Sequence, residues 1–313
     1  DTAGNPGSAV TTGTGSVTVD KTAPALSSVA IVSDNTPNTT AKLGSEITLS
    51  FTASETIGTP TVTFLSGGNA INNTVSYAND GNDWTAKYIV HTSDTDGSVT
   101  YSIAYSDTAG NPGSAVTTGS GSVTVDKTAP TLNTVTIASN NSINTEKAKE
   151  NDVITLSFTA SETITTPTVS FSIGGTAVSP SVSPSGPGSN YTATYTVLSG
   201  QNGSVIFSIS SYSDSAGNAG PTVNALTSGS TVSVDTTLPD FNATQPAFSD
   251  MKINTSTLKY TVTEDLSSGS ITYTRTGGTA DTNSPHVLNL AGDQLQSGSE
   301  RTITNPTSPH SLV

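Results

Sequence analysis

A repeat of about 107 residues governs what this 313-residue chain can fold into. Residues 1–24, DTAGNPGSAVTTGTGSVTVDKTAP, recur at 107–130 with one change, Thr14 becoming Ser120. The pattern returns more loosely at Asp214-Ser-Ala-Gly-Asn218 and Val234-Asp-Thr-Thr-Leu-Pro239. Between these elements, Ile47-Thr-Leu-Ser-Phe-Thr-Ala-Ser-Glu55 matches residues 154–162, and Pro60-Thr-Val-Thr-Phe64 matches Pro167-Thr-Val-Ser-Phe171. Such a period is too long for one coil of a solenoid and suits a self-sufficient domain repeated in tandem.

The boundaries follow from the Asp-Lys-Thr-Ala-Pro segments, where proline holds the preceding residue extended and makes a short, stiff linker. Residues 1–20 are expected to be the C-terminal hairpin of a preceding repeat. Residues 21–126 and 127–235 are expected to be complete repeats, and 236–313 a divergent, truncated one. Beginning inside a repeat and without Met, the chain reads as a window on something longer.

Only 32% of residues are apolar and 11% charged, and a chain so rich in Thr, Ser, Asn and Gly favours strands and turns over long helices. The apolar residues alternate: Ile47, Leu49, Phe51 and Ala53 share one face, as do Trp84, Ala86, Tyr88 and Val90, then Val99, Tyr101, Ile103 and Tyr105. Adding Leu26–Ser33, Pro60–Ser66, a weaker strand near Ala70–Tyr77 and a last strand over Ser114–Asp126 gives about seven strands per repeat. That count predicts an all-β chain of tandem immunoglobulin-like β-sandwiches in an elongated array. The second repeat carries one extra residue in its sixth strand, Val205–Asp214 against Val99–Asp107, which a bulge or a lengthened turn would absorb.

Through Asp-x-Ala-Gly-Asn, Val-Asp-Lys-Thr-Ala-Pro and Ile-Thr-Leu-Ser-Phe-Thr-Ala-Ser-Glu, residues 1–235 resemble the bacterial Ig-like repeats of giant secreted adhesins and cell-surface filament proteins. The third unit resembles another type of surface-protein repeat through Leu258–Asp265, Gly269–Arg275 and Gly277–Asp281. The resemblance implies an extracellular, cell-surface location and a mechanical role: a stalk that projects a binding tip, rigidified by calcium between domains.

In an Ig-like order the last strand ends at the pole where the next domain begins, so acidic residues can be grouped before any coordinates are seen. Asp20 is expected beside Glu55, Asp107 and Asn111; Asp126 beside Glu162, Asp214 and Asn218; and Asp235 beside Glu264 and Asp265. Asp94 and Asp96 are expected to face the junction between the first two repeats from below, with uncharged counterparts around Gln201-Asn-Gly203. Oxygen ligands from several loops are what Ca2+ takes, and carboxylates gathered without a cation repel one another. The competing reading of Asp-x-Ala-Gly-Asn is turn chemistry, with Asp and Asn bonding local backbone and Gly supplying positive φ; the two are compatible.

The net charge of −14 and the absence of any basic cluster argue against nucleic acid. No apolar run is long enough to span a membrane. With no cysteine there are no disulfides or thiol nucleophiles. His91, His286 and His310 are scattered, no nucleophile elbow occurs, and paired carboxylates in turns lack a cleft, so no enzyme is expected. Trp84 reads as a core aromatic rather than a sugar platform, because Tyr191 takes its place in the second repeat. Expected partners are neighbouring repeats. Alternatives are a carbohydrate- or protein-binding module, for which Ser179–Asn190 is the longest loop, and lateral packing of identical chains into a filament.

Overall fold

The structure, a computed structural model, describes residues 2–8, 13, 15–178, 189–245, 257–273 and 285–304. Most of the Ser179–Asn190 loop, the Gly277–Asp281 stretch and His310 lie outside these residues. The chain divides into two compact units, 1–234 and 235–313.

In the first repeat the strands are β1 (Leu26–Ser33), β2 (Thr40–Ala41), β3 (Glu46–Ala53), β4 (Thr61–Ser66), β5 (Asn69–Ala70), β6 (Ser76–Asp80), β7 (Asp83–Ile89), β8 (Gly97–Ala104) and β9 (Thr124–Val125). They form a four-stranded sheet, β1-β3-β7-β6, and a five-stranded sheet, β2-β9-β8-β4-β5. The ladders are antiparallel except where β2 runs parallel to β9, so the segment β1–β2 crosses from one sheet to the other. Strict alternation puts every second residue of β3 and β7 inside, where Ile47, Leu49, Phe51, Trp84, Ala86 and Tyr88 meet Val62, Phe64, Val99 and Ile103 of the facing sheet. Trp84 is 7% exposed, a core aromatic as its phase predicts.

The second repeat copies this plan with β10 (Leu132–Ser139), β11 (Lys147–Ala148), β12 (Val153–Ala160), β13 (Thr168–Ile173), β14 (Thr176–Ala177), β15 (Asn190–Thr196), β16 (Gly203–Ser210) and β17 (Ser233–Val234). Its sheets are β10-β12-β15 and β11-β17-β16-β13-β14, closing over a separate core that includes Leu156, Phe158, Val169, Phe171 and Ile209. The chain is thus all-β, a tandem of immunoglobulin-like sandwiches. The extra residue of the sixth strand is Ser211, which sits at φ 57 just beyond β16 and lets Tyr212 re-enter the core where Tyr105 does in the first repeat.

Two expectations are corrected. The weak strand near Ala70–Tyr77 is two short strands, β5 and β6. The last strand, expected over Ser114–Asp126, is ordered mostly by isolated bridges, Ala30 to Ser120 and Ile103 to Val116, with regular pairing only at Thr124–Val125. Its glycines explain this, since they interrupt the alternation that would sustain a continuous ladder.

In the second unit β18 (Phe241–Gln245), β19 (Thr257–Val262) and β22 (Arg301–Thr304) form one sheet, and β20 (Ser270–Tyr273) and β21 (His286–Asn289) another. Its buried core comprises Tyr260, Val262, Leu290 and Ile303.

Candidate metal centre

The Asp-x-Ala-Gly-Asn turn is built by its own side chains. Asp107 Oδ1 accepts the Asn111 backbone N–H at 2.8 Å and Asp107 Oδ2 accepts Asn111 Nδ2 at 2.7 Å. Gly110 supplies φ 94 in between. The second repeat repeats this with Asp214 and Asn218 at 2.9 and 2.8 Å, around Gly217 at φ 86. Both aspartates are buried. The Asn111 side chain is the leading cause that holds the Asp107 carboxyl below its usual range, against burial, with backbone N–H groups of Asn111, Gly110 and Ala109 adding to it.

Each turn meets the residue that enters its repeat. Asn111 Nδ2 also donates to the Asp20 carbonyl at 3.2 Å, and Asn218 Nδ2 to the Asp126 carbonyl at 2.9 Å. In each entering Asp the side chain caps its own linker: Thr22 N–H donates to Asp20 Oδ1, and Thr128 N–H to Asp126 Oδ1. The consequence is two carboxylate groups of the same construction, Asp20 with Glu55 and Asp107, and Asp126 with Glu162 and Asp214. In each, one oxygen from every member lies within 4.8 Å of the others. The Asp from the turn is buried and the Glu is half-buried, at the end of the strand before the loop to β4 or β13.

None of the ion pairs among the described residues involves these six carboxylates. The consequence is visible at Glu162, whose carboxyl is pushed above its ordinary range first by burial and then by the charges of Asp214 and Asp126. Hard oxygen donors brought together from three chain segments, with uncompensated charge, fit a divalent cation such as Ca2+. Asn111 stands beside the first group and Asn218 beside the second, each as an amide donor that fixes the geometry of its Asp.

Other expected positions behave differently. Asp94 is buried and accepts the backbone N–H groups of His91 at 2.8 Å and Asn72 at 3.1 Å, so it stabilises its own turn and does not face the junction. Asp96 does reach the junction, where it meets a cation of the chain: Lys127 Nζ at 3.2 Å, with Thr128 Oγ1 donating at 2.8 Å. Asp235, Glu264 and Asp265 form no such group among the described residues. Asp235 caps Thr237, and Asp265 accepts both the N–H and the hydroxyl of Ser297, a partner 32 residues away.

Two contributors escaped sequence reasoning. Asn35 Nδ2 donates to the Ala216 carbonyl at 2.9 Å and Lys42 Nζ to the Gly217 carbonyl at 3.1 Å, tying the first repeat to the turn of the second. The available signal was local: the second repeat replaces Ser45 by Asp152, and Asp152 draws the matching Asn141 and Lys149 onto itself at 2.8 and 2.9 Å.

No protein-family model matches the chain, and no curated protein does. Among solved structures it is similar to an I-band fragment of titin, at 14% identity over 92% of this chain and 90% of that one, with a TM-score of 0.40. It is also similar to the full ectodomain of mouse nectin-like molecule 4, at 14% identity over 68% and 65%, with a TM-score of 0.31. The tandem Ig repeats of Dlar are a third, at 12% identity over 69% and 98%, with a TM-score of 0.21. No helix of the described residues is long and apolar enough to cross a membrane.

Proposed function

We propose that this chain is a segment of an extracellular stalk or fibre, part of a large bacterial surface protein, in which Ca2+ between repeats restricts bending. The observation that carries this reading is the recurrence of one carboxylate group at two successive junctions: the residue ending one repeat, the Glu just after the second long strand of the next (β3 or β12), and the Asp of its Asp-x-Ala-Gly-Asn turn. A cation there would tie three segments that otherwise meet through a handful of hydrogen bonds, and would neutralise the repulsion that raises Glu162. The described residues of the repeats offer strand faces of Ser and Thr, and the function is mechanical rather than catalytic.

Small-angle scattering of the full chain tests this. Chelation by EDTA is expected to leave the circular dichroism of the sandwiches unchanged while broadening the distribution of interatomic distances, and Ca2+ to reverse it. A distribution indifferent to both would refute the clamp.

A further inference from the structure

The turn between β2 and β3 differs from its copy between β11 and β12 at one buried position. In the first repeat Ser45 Oγ accepts the Lys42 backbone N–H at 3.1 Å, and the Ser45 N–H donates back to the Lys42 carbonyl at 3.0 Å. In the second, Asp152 makes the same two bonds with Lys149, at 2.9 and 3.1 Å. The nearby asparagines match too: Asn35 and Asn141 each donate their backbone N–H to a serine hydroxyl two residues earlier, at 3.1 Å. With the backbone alike, the side chain at 45 or 152 decides where two further donors go.

Serine has one oxygen, already occupied by an N–H and close to the backbone, whereas aspartate brings two oxygens, one bond further out, and a charge. Asp152 Oδ2 also accepts Asn141 Nδ2 at 2.8 Å, and Oδ1 accepts Lys149 Nζ at 2.9 Å. Burial opposes ionisation of Asp152, but the bonds from Lys149 and Asn141 outweigh it and hold the carboxyl below its usual range. In the first repeat no carboxylate competes, so Asn35 Nδ2 and Lys42 Nζ run on to the Ala216 and Gly217 carbonyls. Contact there is close: Ala216 is 0% exposed, and a Cβ on Gly217 would lie 3.1 Å from Lys42 Nζ. The bonds of Asp126, Lys127 and Thr128 all run through the linker, whereas these two pass directly from one sandwich to the other and add a second point of attachment.

We propose that this position sets which repeat can follow: Ser45 leaves Asn35 and Lys42 to clasp the Asp-x-Ala-Gly-Asn turn of a following immunoglobulin-like repeat, whereas Asp152 keeps Asn141 and Lys149 and closes its pole to such a turn. A carboxylate takes both donors from backbone carbonyls because its charge strengthens each bond, and a competing partner of this kind is a means of specificity. The sequence follows the same division. The repeat with Ser45 precedes one that has the turn, while residues 236–313 have none. Their nearest segment, Asn289-Leu-Ala-Gly-Asp293, exchanges the two end residues and leads into a 3-10 helix, Gly292–Leu295. The selection goes beyond the calcium clamp and requires no cation.

The chain has no cysteine, so spin labels at T100C and I206C, exposed and matching positions on β8 and β16, report the distance between the two sandwiches by double electron–electron resonance. Measurement in EDTA keeps the outcome independent of the clamp. The labelled parent is expected to give a narrow distance distribution, S45D a broader one, and N35A/K42A one as broad as S45D. Adding S45D to N35A/K42A should broaden it no further, because the donors it captures are gone. S45A, which offers no carboxylate, should stay narrow. Trp84, the only tryptophan, lies in the core of the first repeat and should keep its native emission in every variant. The proposal is overturned if S45D or N35A/K42A stays as narrow as the parent, if S45A broadens as S45D does, or if S45D broadens the N35A/K42A chain further. Loss of the native Trp84 emission in S45D would also overturn it, since the first repeat must seat a carboxylate there as the second does.

Discussion

Asn218 shows how much of a junction can rest on one side chain: its amide nitrogen holds Asp214 in place and simultaneously donates to the carbonyl of Asp126. Next to it, Gly220 lies so close to the ring of Tyr212 that a Cβ would fall 2.0 Å from a ring carbon. Gly220→Ala is therefore expected to destabilise the second repeat by about 1–3 kcal/mol, the usual cost of overpacking, read as a lower urea midpoint with unchanged slope. Glu162 makes a prediction with a definite sign. Burial, then the charges of Asp214 and Asp126, raise its pKa in the folded chain, so its contribution favours folding below the ordinary Glu value and is lost as pH rises through the raised one. Glu162→Gln should therefore melt higher than the parent near neutral pH in EDTA, and lose that advantage in excess Ca2+. A parent and variant that melt alike in EDTA would show that the repulsion is not felt.

At the scale of elements, two separate cores predict separable stabilities. Leu49 and Leu156 are both fully buried, each in its own sandwich. Either Leu→Ala should cost about 2–5 kcal/mol, but only Leu49→Ala should shift the unfolding followed by Trp84 fluorescence. The same logic makes Ser211 dispensable: its deletion restores the length of the first repeat's β8 segment, and the melting temperature of the second repeat should hold or rise, since a non-glycine residue leaves φ 57. Strands with an unbroken alternation, such as β3, β7, β12 and β16, were readable from the residues because burial and pleat share a period of two. The last strand was not, because Gly119 and Gly121 are selected by backbone approach, a pressure that leaves no alternation. The carboxylate groups were readable because a repeat fixes which pole each turn occupies. Asp94 and Asp265 were not, because an acid that serves its own turn or a distant Ser297 looks the same in sequence as one that serves a junction.

For the whole molecule, the net charge of −14 includes two concentrated groups of three acids in the first unit, none of which takes part in an ion pair among the described residues. Even without a cation the two repeats are joined by Lys42, Asn35, Asn218 and the Asp96–Lys127 pair, so Lys127→Thr combined with Lys42→Ala should increase the response of scattering to EDTA without altering either core. The most direct measurement is a calorimetric titration of the full chain with Ca2+. Two saturable sites are expected, Glu55→Gln abolishing one and Glu162→Gln the other. Heats that never saturate, or binding that survives both substitutions together, would contradict the assignment of these carboxylates to a cation.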